Sequence, residues 1–230
     1  MSLPIILALD TKDLNQAGQW IKASSDQIDH FKIGLEFYLQ HGSEGIMQLR
    51  EICDFKLFLD LKLYDIPNTV KGAVESVAKL SPKFLTVHAS GGAKMIEAAS
   101  QAFPNGSITA VTVLTSFSED EFSKMGYRCS IADTTNLWAS VAIKAGATSL
   151  VCSPFEVSSL RNQFKDAVLI TPGVRVAGDD LGDQSRVMSA PDAISAGADF
   201  VVIGRSITSQ WDGSDLKMRR KIDLIANSLG

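Results

Sequence analysis

Three cysteines in 230 residues, Cys53, Cys129 and Cys152, form an odd and scattered set, without the close pairing that a zinc site or a redox dithiol requires. A reducing compartment, the cytoplasm, is expected. Histidine is as scarce, and His30 and His41 lack the spacing of metal ligands, which leaves them as structural or surface groups. Long apolar runs are missing too. The first apolar run, Leu3 to Leu9, has no basic segment before it and ends at Asp10, far short of the roughly 20 residues that span a bilayer. Neither a targeting signal nor a membrane span is expected. With a formal net charge of -4 the chain has no basic footprint for nucleic acid or an anionic membrane, so an anionic ligand must be held by local groups. G-x-G-x-x-G, the P-loop, H-E-x-x-H and G-x-S-x-G are all absent, which removes the usual signatures of dinucleotide binding, nucleotide hydrolysis, zinc proteolysis and serine hydrolysis. No solenoid-length repeat and no low-complexity tract interrupts the chain.

What remains is an ordinary globular composition, 45% hydrophobic and 21% charged, able to bury a large core. The length suits one α/β barrel, although two small domains would also fit. Short β-branched runs between helical stretches predict eight strands: Ile5–Asp10, His30–Leu35, Lys56–Lys62, Phe84–Ala89, Ile108–Leu114, Ser149–Ser153, Leu169–Val174 and Phe200–Arg205. Ser153, Pro154 and Glu156 read as an N-cap, a first-turn proline and a reaching-back carboxylate. Gly146 and Gly197 follow alanine-rich stretches and read as left-handed helix stops. Eight alternations without a polar linker favour a single-domain (β/α)8 TIM barrel over residues 1–230, with an open Rossmann-like sheet as the alternative. That alternative needs a glycine-rich turn after the first strand, where this chain has DTKDLNQAG.

Barrels of this class place their active site at the carboxyl ends of the strands. There the chain offers Asp10 on the first strand, Lys32 on the second, Asp60 and Lys62 on the third, Thr115 after the fifth, and Gly204 and Arg205 on the eighth. Period-two alternation puts Asp60 and Lys62 on one face and Leu61 and Leu63 on the other, so the charges face the mouth while the leucines pack on helices. A structural salt bridge accounts for Asp60 and Lys62, taken alone, as well as chemistry does. Asp65 follows in the turn before Pro67 and reads equally as an N-cap. The loops after the seventh and eighth strands are the usual phosphate cradle, and they supply Arg175, Gln184, the close-approach backbone of Gly204 and the guanidinium of Arg205. His88 reads as a strand-end histidine satisfied by polar neighbours, and Cys152 as a small buried hydrophobe.

Taken together, ALD at Asp10, FKIG at Lys32, DLKLYDIPNTV from Asp60, TVHASGG from Thr86, VLTS around Thr115, TPGVR through Arg175, GDQ at Gln184 and IGRSIT around Arg205 resemble the orotidine 5′-monophosphate decarboxylase family over nearly the whole chain. The Asp-x-Lys-x-x-Asp core alone is shared with sugar-phosphate decarboxylases that use magnesium. Val176 departs from the pattern, standing where a proline is common. The resemblance implies a charged tetrad of Lys32, Asp60, Lys62 and Asp65, with Asp65 and Thr69 lent across a homodimer interface. It also implies ribose contacts from Asp10 and Lys32, a pyrimidine contact from Thr115, and phosphate contacts from Arg175, Gln184 and Arg205. No cofactor or metal is implied, the substrate being a small nucleotide that loses carbon dioxide from C6.

Overall fold

A computed structural model describes residues 3–175 and 188–229. The first half of the chain runs β1 (Ile5–Ala8), α1 (Leu14–Ser24), β2 (His30–Gly34), α2 (Leu35–Ile52), β3 (Lys56–Leu63), α3 (Pro67–Ala78), β4 (Phe84–His88) and α4 (Ala93–Gln101). The second half adds β5 (Ser107–Val111), α5 (Glu119–Lys124), α6 (Ile131–Lys144), β6 (Ser149–Val151), α7 (Val157–Gln163) and β7 (Val168–Thr171). Two short strands follow, β8 (Val174–Arg175) and β9 (Met188–Ser189), then α8 (Ala190–Ser195), β10 (Phe200–Ile203), α9 (Arg205–Thr208) and α10 (Leu216–Leu229). Eight strands close a barrel in the order β1-β10-β7-β6-β5-β4-β3-β2, with β2 paired back to β1 in parallel. The fold is the single-domain TIM barrel that the strand count predicts.

Alternation along each strand sorts the side chains into two cores. Ile6, Phe58, Phe84 and Ile170 point inward and pack with Val151, Val168, Phe200 and Val202 to fill the barrel. Their neighbours Leu7, Phe31, Leu57, Leu59, Leu85 and Val87 point outward into the layer shared with the helices. At the amino-terminal end His30 closes the interior, its ring centroid 4.7 Å from Phe200 and 6.1 Å from Phe84, with Nδ1 2.6 Å from Asp29 Oδ1. Burial holds this imidazole below its ordinary pKa even against the pull of Asp29, so the neutral ring is the folded form and the residue is structural.

Gly146 and Gly197 stop α6 and α8 at φ 98° and 113°, as their positions predict. Three local expectations are corrected. Ser153 does not cap α7; residues 154–156 form a turn, Ser153 Oγ accepts from the Phe155 backbone, and the helix starts at Val157. Asp65 does not cap α3, because Pro67 at the first position keeps Ile66 extended and makes Ile66 the cap, while Asp65 accepts from the Ile66 N–H at 2.6 Å. The expected seventh strand breaks at Pro172 and Gly173, where a missing N–H and a φ of 76° turn the chain into the separate β8–β9 pair.

Phe84 touches both Phe58 and Phe200 edge-on, at 5.8 and 5.9 Å between centroids, and is fully enclosed. Phe84→Ala should therefore lower unfolding free energy by about 3–5 kcal/mol in urea titration, through lost burial plus the cavity left behind. A loss below about 1 kcal/mol, the scale of a single methylene, would mean that the barrel interior is not packed as described.

Candidate active site

Where the strands run out at their carboxyl ends, the barrel opens into a cavity of about 570 Å³. Its apolar floor is Phe58, Val151 and Val202, the upper surface of the inner core. Two residues beyond Phe58 on β3 comes Asp60, and two beyond Val202 comes Gly204, so the same alternation that fills the barrel delivers the polar groups to its mouth. Asp10, Lys32, Asp60, Lys62, Thr115, Gly204 and Arg205, all named from the sequence, line this one cavity.

The charges alternate in sign across it. Asp10 Oδ1 lies 3.0 Å from Lys32 Nζ, which lies 3.6 Å from Asp60 Oδ2. Lys62 Nζ then donates to both Asp60 oxygens at 2.8 Å. Removing an ion from water costs several kcal/mol, and one opposite charge at ~4 Å returns about 4 kcal/mol at the effective dielectric near a protein surface, so a single pairing roughly breaks even. Asp60, 9% exposed, has two ammonium neighbours and a hydroxyl donor, Thr86 Oγ1 at 3.0 Å. Burial alone would raise its pKa; Lys32 and Lys62 outweigh that and hold it below the usual carboxylate range. Burial likewise works against the Lys32 ammonium, and Asp60 and Asp10 reverse it, leaving the pKa raised. Lys32 is thus a fixed cation and Asp60 a fixed anion at neutral pH. Gly34 makes room for this: a Cβ there would stand 3.1 Å from Lys32 Nζ.

Lys62 reaches the mouth by a route that simple alternation did not anticipate. Leu59 pairs with Leu85 and Leu63 with Val87, so four steps along β3 face two along β4, and the excess forms a bulge. Lys62 takes up the slack at φ 49°, a left-handed conformation that costs a side-chain-bearing residue on the order of 1–3 kcal/mol. Its N–H is bonded instead to Thr86 Oγ1 at 2.8 Å. Leu61 and Leu63 pack against the outer core as predicted.

Asp65 and Thr69 do not line the cavity of their own chain; both are exposed, Asp65 on the β3–α3 connection and Thr69 in the first turn of α3. Gln184 and the side chain of Arg175 lie outside the described residues. Sequence reasoning passed over Thr86 within its motif, and it missed Ser206 and Ser209, which line the cavity beside Arg205. It also placed Gly204 and Arg205 at a strand end, whereas β10 ends at Ile203, Gly204 stands at the cap position and Arg205 begins α9. His88 packs edge-on against Tyr64 at 5.6 Å, and burial followed by Lys62 lowers its pKa, with Asp60 acting the other way. Cys152 lines the cavity wall, and burial pushes its thiol up to about 12, so it remains an inert protonated group.

Comparison with known proteins converges on one family. The family model described as "Orotidine 5'-phosphate decarboxylase / HUMPS family" matches residues 3–215. Among curated relatives, an orotidine 5'-phosphate decarboxylase of Thermobifida fusca is 48% identical, the match covering 92% of this chain and 91% of that protein. One from Wolbachia pipientis subsp. Culex pipiens is 43% identical, over 89% of this chain and 91% of its own. The crystal structure of orotidine 5'-phosphate decarboxylase from Lactobacillus acidophilus superposes with a TM-score of 0.83 at 31% identity, covering 99% of both chains. With a closed barrel, an alternating charge array at its mouth and these relatives along its length, the chain belongs to the orotidine 5'-phosphate decarboxylase / HUMPS family.

Proposed function

We infer that this chain is a carboxy-lyase that converts orotidine 5′-monophosphate into uridine 5′-monophosphate and carbon dioxide, the last step of de novo pyrimidine synthesis. The observation that carries the reading is the Lys62 ammonium, held at 2.8 Å by both oxygens of a buried, ionised Asp60 above an apolar floor. The floor of Phe58, Val151 and Val202 suits a flat pyrimidine ring. When the bond from C6 to the carboxylate breaks, carbon dioxide leaves and the electron pair stays on C6. Lys62 stabilises that pair by charge and then transfers a proton to it, and solvent returns a proton to the amine. The dipoles are in place before reaction, so little reorganisation remains to be done at the transition state.

Asp10 and Lys32 hold the ribose hydroxyls and Thr115 the pyrimidine edge. Arg205 at the start of α9, with the close backbone of Gly204, takes the phosphate, joined by Arg175 and Gln184. A Cβ on Gly204 would meet Ala8 at 3.3 Å, which favours glycine there. Contacts to a phosphate remote from C6 supply binding energy that closes the site, raising turnover as well as affinity. Two copies complete each site. Asp65 and Thr69 face outward beside Tyr64 and Ile66, which are 61% and 66% exposed, an apolar edge that suits a second chain carrying Asp65 and Thr69 into the partner's cavity. Free thiols at Cys53, Cys129 and Cys152 fit a cytoplasmic location. Among the described residues no helix is long and apolar enough to cross a membrane.

The alternative within this family, a magnesium-dependent sugar-phosphate decarboxylase, needs a carboxylate turned to a divalent cation. Here two ammonium groups already occupy Asp60, and no cluster of three or more potential ligands exists among the described residues. Purified protein given orotidine 5′-monophosphate with chelator present should consume the orotate absorbance. Lys62→Ala should slow this by roughly 10³-fold or more while still binding uridine 5′-monophosphate. Activity that vanishes with chelator and returns with magnesium would move the chain to the sugar-phosphate reading.

The shared site has its own test. Lys62→Ala and Asp65→Ala, each inactive alone, should recover activity when mixed and allowed to exchange subunits, since one site of each mixed dimer then has both residues intact. Mixing without recovery would place Asp65 in the same site as Lys62 of its own chain.

A further inference from the structure

We infer that Thr86 is a positioning residue for the proposed decarboxylation: its one hydroxyl ties the backbone of Lys62 to the carboxylate that holds the Lys62 ammonium. This inference rests on the decarboxylase reading and adds a residue to it. The β3 bulge leaves the Lys62 N–H without a paired residue on β4, since Leu59 is opposite Leu85 and Leu63 opposite Val87. Thr86 stands between those partners and is 0% exposed, so water does not take its place. Its Oγ1 accepts from the Lys62 N–H at 2.8 Å. That leaves the hydroxyl proton for Asp60 Oδ1 at 3.0 Å, an oxygen that also accepts from Lys62 Nζ at 2.8 Å. The result is a closed ring: Lys62 backbone, Thr86 hydroxyl, Asp60 carboxylate, Lys62 ammonium.

Such a ring couples the two ends of one lysine. The hydroxyl holds the left-handed turn at φ 49° and, through the same atom, fixes how Asp60 faces the ammonium. A side chain four rotatable bonds long then has both its root and its tip anchored. Valine has nearly the same shape and the same preference for strands, so packing alone would not distinguish it from threonine at this position. Only the hydroxyl does. Removing it strands a buried donor and takes one hydrogen bond from ionised Asp60.

The test compares wild type, Thr86→Val and Thr86→Ser in steady-state decarboxylation of orotidine 5′-monophosphate across pH, with uridine 5′-monophosphate binding and thermal unfolding measured alongside. Thr86→Val should lose roughly 10- to 100-fold in kcat, as expected for a misplaced catalytic group, while KM and product affinity hold. Thr86→Ser should recover most of the loss. The acid limb of kcat should move upward in Thr86→Val, toward the ordinary carboxylate range, because the lost bond favoured the ionised form of Asp60, and should stay in place in Thr86→Ser. If the valine variant does not fold, Thr86→Cys, whose thiol is a poor donor and acceptor, carries the same expectation. Wild-type kcat in the valine or cysteine variant, or a change in thermal stability with kcat and the acid limb unmoved, would overturn the inference. A wild-type protein with no decarboxylase activity would instead overturn the decarboxylase reading itself.

Discussion

One carboxylate between two ammonium groups, Asp60 between Lys32 and Lys62, sets the terms for the rest of this protein. Charges this enclosed survive only in mutual company, and that company comes from three different strands. Asp10 lies just beyond β1, Lys32 on β2, and Asp60 and Lys62 on β3, so the barrel must close in register before the array exists. The array in turn bears on stability. Asp60, its pKa depressed, contributes stability above the ordinary carboxylate pKa and loses it as pH falls through the depressed value. Lys32, its pKa raised, contributes below the ordinary lysine pKa and loses it as pH rises through the raised value. Both contributions are therefore intact across the neutral range, where the proposed chemistry needs the charges fixed.

The proposed reaction asks little covalent work of the protein. Its difficulty is the electron pair left on carbon, and the remedy is a cation already in place, held by a base too acidic to take its proton. An anion-facing ammonium free in solution would be surrounded by water that must reorganise. Here the neighbours are Asp60, the Phe58 floor and the walls of the barrel, which do not. The proposed phosphate end of the cavity, at Gly204 and Arg205, lies at the start of α9 just beyond β10, elements separate from the β3 segment that carries the lysine proposed to react. That separation lets binding energy and chemistry be supplied by different parts of the chain.

Much of this was legible in the residues. Each barrel strand is a short apolar run with a polar residue near its end, and period-two alternation alone carries Asp60, Gly204 and their neighbours to the mouth. What was not legible has particular causes. DLKL keeps its alternation through Lys62 although the backbone bulges there, because a bulge depends on the register with β4 and not on local pattern. Thr86 reads as any strand-forming residue until the bulge is known to turn the Lys62 N–H onto its hydroxyl. The β8–β9 pair is two residues on each side, too short for periodicity to register. The start of α7 looked capped because Ser-Pro-x-Glu is a common opening, yet here it folds as a turn. Asp65 and Thr69 are exposed and away from their own chain's cavity, a placement that no periodicity in the sequence conveys and that only the family resemblance made expected.

A crystal structure with uridine 5′-monophosphate bound tests the central claim most directly. The account predicts the pyrimidine on the Phe58 floor, with Lys62 Nζ within roughly 3–3.5 Å of C6 and still bonded to Asp60, and the phosphate at Arg205. A ring seated elsewhere in the cavity, with the Lys62 ammonium pointing away from C6 or released from Asp60, would contradict it.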